Sequence, residues 1–376
     1  MKNSALYIHI PFCDHKCIYC DFYSIITSDN VQSFLTALKK EIEYFSKLYS
    51  NDRTFTSIFF GGGTPSLMEP QYLREILDHI KKYFNVGEDA EITMETNPGT
   101  VDKAKLKQFK EAGINRISIG IQSFDEAELK FLTRIHDKQT AIQTVYNAAD
   151  IGFENISVDL IFNLPNQTKE KWIENLETAI RLPIKHLSAY SLILERGTIL
   201  NKLVLDKKVM MQDDDYDADL YETTTDFLLS KGLYQYEVSN FTKPGYECVH
   251  NNAYWRYRDY LSFGTSSHSF ADGKRWWNYS SLKKYISEIE LKSHAIMNSE
   301  IISNEQMHDE YVMLALRSSG LDLDDYRKRF SDDWIKKNNS YFELLKNEHH
   351  LSTDNNWIKL TSKGYAVCDE ILKNIL

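Results

Sequence analysis

Three cysteines stand within eight residues, as Cys13-Asp14-His15-Lys16-Cys17-Ile18-Tyr19-Cys20, a Cys-x3-Cys-x2-Cys spacing. Three thiolates can hold three corners of a cubane 4Fe–4S cluster, which leaves the fourth iron without a protein ligand and open to a small molecule. The amino and carboxylate groups of S-adenosylmethionine can chelate such an iron, and an electron from the reduced cluster would then break the C–S bond to give methionine and a 5′-deoxyadenosyl radical. The competing reading is a structural zinc site, which wants four ligands, more often from paired Cys-x2-Cys units; His15 would be the fourth, but it lies in the same tight loop. The other two cysteines, Cys248 and Cys368, are isolated. An odd count concentrated in one loop argues against a disulfide framework and for a metal site in a reducing compartment.

Something must hold that loop. Short apolar runs recur at Leu6–Ile10, Ser57–Phe60, Glu91–Glu95, Arg116–Ile121, Ser157–Phe162 and His186–Leu194, and read as strands. Helical patterns lie between them, over Leu73–Phe84, Lys103–Ala112, Thr140–Ile151 and Thr168–Leu182, the last with Thr168 placed to cap its start. Alternating strands and helices imply an α/β fold with a parallel sheet. Six βα units fall short of the eight of a full barrel, so a partial (β/α)6 barrel is expected. Function in such folds gathers at the carboxyl ends of the strands. The first strand runs into Cys13, and the second into Gly61-Gly62-Gly63-Thr64. The third runs into Glu95-Thr96-Asn97-Pro98 and the fourth into Gln122-Ser123; the fifth carries Asp159. These endings should meet on one rim.

The barrel is expected over 1–205, a linker with a ligand-binding segment over 206–300, and a mainly helical, winged-helix-like domain over 301–376. Residues 206–216 are rich in Asp and Lys and read as a solvated connection. The net charge of −10 and the lack of a dense basic stretch speak against nucleic acid, even with a winged-helix module. No apolar run approaches the roughly 18–20 residues of a membrane span, and the N-terminus lacks a signal-peptide pattern. A cytoplasmic protein is expected.

The cysteine spacing, with Tyr7-Ile8-His9-Ile10-Pro11-Phe12 before it, resembles the radical-SAM superfamily. It is closest to the branch containing oxygen-independent coproporphyrinogen III oxidase and the HemW-type heme chaperones. The resemblance implies a shell for S-adenosylmethionine. Gly62, Gly63 and Thr64 would approach the methionyl amino group, and Glu95 would supply a carboxylate to the cationic parts. Arg134 would pair with the methionyl carboxylate. Gln122 and Asp159 would accept from the ribose, Tyr19 would offer backbone contacts to adenine, and Tyr7 would sit near the cluster and the sulfonium. Asn163 replaces a glycine usual in this branch; Asn tolerates the left-handed backbone that the turn requires.

Two functions from different classes follow from the resemblance. One is an enzyme, the oxidase, which decarboxylates two propionates of coproporphyrinogen III. The other is a chaperone that binds heme as cargo and passes it to acceptor proteins. In the oxidase a fourth cysteine follows the third after one residue. Here Asp21-Phe22 follows Cys20, as in the chaperones, and twelve residues precede Cys13 where resemblance to the oxidase would lead one to expect a longer extension. His250-Asn251-Asn252-Ala253-Tyr254-Trp255 matches the chaperones' His-Asn-x-x-Tyr-Trp motif, which makes His250 a candidate axial ligand to heme iron; the alternative is a satisfied buried histidine among core aromatics. Cys248 and His268 are weaker heme candidates. The resemblance further implies a low-potential flavodoxin or ferredoxin as electron donor, and at most peripheral contact with membrane-bound acceptors.

Overall fold

Alternation decides where the side chains of the first strand go. Leu6, Ile8 and Ile10 pack into the main apolar core, while Tyr7 and His9 face the other way. The same division holds along six strands: β1 (Lys2–Ile10), β2 (Arg53–Gly62), β3 (Val86–Thr96), β4 (Arg116–Gln122), β5 (Asn155–Phe162) and β6 (His186–Ser191). They lie side by side in chain order, all parallel. The computed structural model describes every residue except Ser28 and Asn355.

The connecting helices are α1 (Val31–Tyr49), α2 (Pro70–Tyr83), α3 (Lys103–Ala112), α4 (Glu126–Phe131), α5 (Lys138–Asp150) and α6 (Lys169–Ile180). They bury residues such as Leu38, Ile76, Phe109, Val145 and Trp172 against the outward faces of the strands. Thr168 does cap α6, its hydroxyl accepting from Lys171 N–H. The other face of the sheet, toward the barrel interior, is polar: Glu95, Arg116, Ser118, Asp159, His186 and Ser188 line it.

Residues 206–300 are not a linker. After α7 (Ile199–Leu205) comes α8 (Asp214–Ser230), whose N-cap is Asp213 and whose first turn holds three aspartates. Carboxylates there complement the helix dipole, which accounts for much of the acidity of 206–216. Strands β7 (Tyr234–Glu237) and β8 (Asn240–Thr242) extend the sheet beyond β6. Helix α9 (Val249–Trp255) follows. Strand β9 (Tyr260–Phe263) then pairs in parallel with β1. From β9 the sheet continues through β10 (His268–Ala271), β11 (Lys274–Asn278) and, after α10 (Leu282–Lys292), β12 (Ile296–Ile301), each antiparallel to the one before it. Among the described residues the sheet has twelve strands, in the order β12-β11-β10-β9-β1-β2-β3-β4-β5-β6-β8-β7. A buried carboxyl ties this extension down. Glu41 on α1 accepts from Gly264 N–H (2.9 Å), Asn278 Nδ2 (2.6 Å) and Tyr285 Oη (2.6 Å).

The last seventy residues form a second core around Val312, Leu321, Tyr326, Phe342, Ile358 and Leu372. Its elements are α11 (Asn304–Leu316), β13 (Leu321–Asp322), α12 (Leu323–Arg329), α13 (Asp333–Asn347), β14 (Leu351–Asp354), β15 (Trp357–Leu360), α14 (Ser362–Ala366) and α15 (Cys368–Ile375). Helix, strand, two helices and a hairpin, with β15 between β13 and β14, make the expected winged-helix arrangement. Arg275 on β11 meets Glu310 on α11 at 2.7 Å, which joins this module to the sheet.

Candidate functional site

The cysteine loop leaves β1 and is fixed by its own backbone. Ile25 N–H donates to Pro11 C=O (2.7 Å) and Cys13 N–H to Ile25 C=O (3.0 Å). Ile18 is buried with Leu132, Leu164, Leu192 and Leu200, and its N–H donates to Thr133 Oγ1 (3.2 Å). Glycines bring the end of β2 against this loop. Gly63 N–H donates to Ile10 C=O at 2.8 Å, and a Cβ at position 63 would stand 2.5 Å from the Phe12 carbonyl. Gly62 has φ 110°, and a Cβ there would strike the His9 ring at 2.7 Å. Only glycine fits such a close, left-handed approach.

The loop and the strand ends enclose a pocket of about 340 Å³. Cys13, Cys17 and Cys20 line it together with Tyr19, Gly62, Gly63 and Thr64. Glu95, Gln122, Arg134 and Asp159 line it as well. The rim expected from the strand endings thus forms, and it brings together residues from five strand ends. Cys13 Sγ lies 3.3 Å from Thr64 Oγ1, and Cys17 Sγ 3.5 Å from Arg134 Nη1. Among the described residues no three Cys, His, Asp or Glu side chains converge as they would on a single ion. Three thiols spread round one end of a pocket suit a polynuclear cluster, whose irons are ligated separately.

The polar groups also suit a zwitterionic, cationic cofactor. Glu95 accepts from Gly62 N–H at 3.2 Å, and burial, reinforced by Asp159, pushes its carboxyl up to about 8. Arg134 donates to Gly120 C=O (2.6 Å) and Asn97 Oδ1 (2.8 Å), yet its buried Nε has no acceptor among the described residues. An incoming carboxylate would satisfy that donor. Asp159 is held by Ser118 Oγ (3.1 Å) and Ser188 Oγ (2.7 Å), leaving one edge toward the pocket. Gln122 ends β4 with φ 72°, and Asn163, just after β5, has φ 61°, the left-handed turn expected of it.

Two expected residues lie elsewhere. Tyr7 faces a second, inner chamber of about 200 Å³, one strand repeat below the loop, because His9 takes the place nearest Gly62. His250 also faces that chamber and is 1% exposed. Its Nδ1 meets Ser57 Oγ (3.0 Å), its Nε2 meets Tyr254 Oη (2.8 Å), and its ring stacks on Phe59 at 4.9 Å. In this structure it is therefore the satisfied buried histidine of the alternative reading. Residues not singled out in the sequence complete the site. Asn97 bridges Thr64 Oγ1 and Arg134, and Ser118 and Ser188 hold Asp159. Asn97 sits at a strand end, which was the available signal; Ser118 and Ser188 lie within strands and gave none.

The raised Glu95 carboxyl carries a pH signature. A protonated carboxyl must lose its proton to pair with a cation, so cofactor affinity should rise with pH up to about 8 and flatten above it. The slope should approach, at most, about tenfold per pH unit. Equilibrium dialysis of S-adenosylmethionine on reconstituted protein at pH 6.5 and 8.5 should show this rise, and Glu95→Gln should bind more weakly at pH 8.5 with a flatter profile. Equal slopes in the two proteins would remove Glu95 from cofactor binding.

An α/β partial barrel with three cysteines after its first strand defines a radical-SAM protein, and the Radical SAM superfamily model matches residues 7–179. The heme chaperone HemW of Bacillus subtilis is 35% identical, over 99% of this chain and 98% of that protein. The heme chaperone HemW of Escherichia coli is 40% identical, over 72% of this chain and 71% of that protein. Radical S-adenosyl methionine domain-containing protein 1, mitochondrial, of Danio rerio is 33% identical, over 100% of this chain and 87% of that protein. The structure of coproporphyrinogen III oxidase (HemN) from Escherichia coli matches with a TM-score of 0.84, covering 100% of this chain and 90% of that one at 22% identity, a likeness of fold. The chain belongs to the HemW family of the radical-SAM superfamily.

Proposed function

We propose that this protein is a heme chaperone, binding heme and handing it to acceptor proteins, with a 4Fe–4S cluster on Cys13, Cys17 and Cys20 and with S-adenosylmethionine as resident cofactors. When bound, they supply one-electron reductive chemistry at the outer pocket. The observation that carries the reading is Asp21-Phe22 after Cys20, with no cysteine at position 22, together with the His-Asn-x-x-Tyr-Trp motif on α9. Helix α9 places His250 and Tyr254 in the barrel interior and leaves about 200 Å³. Ligand pockets run to about 300–1,000 Å³, and a tetrapyrrole is too large to enter beneath the cofactor. In the conformation described, the macrocycle is therefore held outside the chamber. The full-length relatives named as heme chaperones support the same reading.

Ligation of heme iron by His250 requires its bond to Tyr254 to open and α9 to withdraw. Reconstituted protein should bind heme, and His250→Ala should weaken binding or shift the Soret band; an unaltered affinity and spectrum would remove His250 as ligand. Under anaerobic reduction with S-adenosylmethionine the protein should not convert coproporphyrinogen III, and protoporphyrinogen formed at catalytic turnover would overturn the chaperone reading. A low-potential flavodoxin or ferredoxin suits such a cluster as electron donor. Thiolate ligands require a reducing compartment, so we place the protein in the cytoplasm, with membrane-bound acceptors met peripherally. Among the described residues no helix is long and apolar enough to cross a membrane.

A further inference from the structure

The barrel interior holds a buried guanidinium with a hydrogen-bond donor that the described residues leave unused. Arg116 on β4 is 2% exposed and lines the inner chamber. Its Nε is buried with no hydrogen-bond partner among the described residues, and the carboxylate within ion-pair range, Glu91, stands 3.8 Å away. The oxygens of Glu91 are already engaged by Val249 N–H (3.2 Å), His250 N–H (3.2 Å) and Cys248 Sγ (3.5 Å), at the start of α9. The other polar walls are engaged too. Ser118 and Ser188 donate to Asp159, His186 meets Ser157 Oγ (2.7 Å) and Tyr236 Oη (2.9 Å), and both nitrogens of His250 are taken. Burial pushes the carboxyls of Glu95 and Asp159 up, toward the neutral acid. A guanidinium presents five N–H donors in a planar fork, and a buried charge left without hydrogen bonds is costly.

We propose that the inner chamber is a carboxylate-binding site anchored by Arg116. A planar fork matches a carboxylate in bidentate fashion. The aromatic walls formed by Tyr7, Phe59 and Tyr254 suit a short apolar stem behind it, and about 200 Å³ limits that stem to a few carbons. The chamber shares Glu95, Ser118, Asp159 and Tyr190 with the outer pocket, so the group enters from the cofactor side. Two sources carry this chemistry: a free short-chain monocarboxylate, or one propionate side chain of a heme seated at the mouth. The second source rests on the heme-chaperone reading.

The test uses full-length, cluster-reconstituted protein with two probes. In the first arm, carboxyl-labelled 13C-propionate is titrated and followed by NMR line broadening and thermal shift, with sodium chloride at equal ionic strength as control. Saturable binding to the wild type is expected, at least tenfold weaker in Arg116→Gln and intermediate in Arg116→Lys. In the second arm, heme and heme dimethyl ester are compared. A tenfold or greater preference for heme that disappears in Arg116→Gln identifies the propionate arm as the ligand. Propionate binding without any heme binding would defeat the chaperone reading and leave this site standing. No saturable propionate effect on the wild type, together with equal binding of heme and its ester, overturns the proposal. So does propionate binding that Arg116→Gln leaves unchanged. If Arg116→Gln fails to fold, the wild-type NMR titration and Asn251→Ala, which removes another chamber side chain, decide the matter; binding that Asn251→Ala leaves unchanged places the ligand elsewhere.

Discussion

Cys17→Ala leaves a folded chain that holds no cluster. A cubane with one open iron already has the fewest protein ligands that leave a single site free, and removing one more leaves two thiolates for four irons. Iron in the reconstituted protein should fall from about four per chain to below about one, with loss of the cluster's charge-transfer absorbance and of S-adenosylmethionine binding. The fold should survive because the loop does not depend on the cluster for its path. Ile18 is buried among leucines, and Cys13 N–H and Ile25 N–H are paired with backbone carbonyls. The apoprotein's unfolding free energy should therefore change by no more than about 0.5 kcal/mol. Cys248→Ala and Cys368→Ala, both buried away from the outer pocket, should retain full iron. Full iron retention by Cys17→Ala would sink the assignment of the three ligands.

The second large effect is at Glu41. Glu41→Ala should destabilise the protein by about 3–5 kcal/mol, because it strands three buried donors and opens a void beside Tyr285. Glu41→Gln keeps the volume and one acceptor oxygen and should cost less. The carboxyl also has a pH dependence. Burial pushes it from 4.5 up to about 7, against the pull of its bonds from Tyr285, Gly264 and Asn278. A carboxyl raised in the folded state contributes stability that is fully present below 4.5 and is lost as pH rises through about 7. That loss is roughly 3 kcal/mol at most. Glu95 and Glu237 are pushed up into the same range, so the informative quantity is the difference between wild type and Glu41→Gln. In urea denaturation the variant should gain on the wild type between pH 5 and pH 8. A constant difference across that window would show that Glu41 stays ionised.

Local signals made the first half of the chain legible. Six runs of β-branched and apolar residues became β1 to β6, and Thr168 capped the helix expected after it. The strand-end polar residues converged because a parallel sheet sends every carboxyl end to one side. The sheet extension was not legible. β8 and β9 have three and four residues, too few for alternation to show, and β9 finds its partner across the whole barrel. Residues 206–216 read as a solvated stretch because N-cap and first-turn carboxylates, here Asp213, Asp214 and Asp215, have the same composition as a charged loop. His250 shows a limit of another kind. Its motif was visible, but which way its ring points depends on Ser57 and Phe59, nearly two hundred residues earlier.

The parallel pairing of β9 with β1 has a consequence for the nascent chain. The strand that carries the cysteine loop gains its first neighbour, β2, soon after it leaves the ribosome. Its second neighbour begins roughly 250 residues after β1 ends, about 10–50 s later at typical elongation rates. During that interval an unsatisfied strand edge lies beside three unligated thiols, a template for pairing with other chains. A transcript truncated before codon 263 would make a product with that edge permanently bare, and slow translation between codons 62 and 260 would lengthen its exposure. Soluble yield should thus depend on how quickly the ribosome reaches β9, and iron–sulfur loading before that point would act on a loop whose strand is still open on one edge.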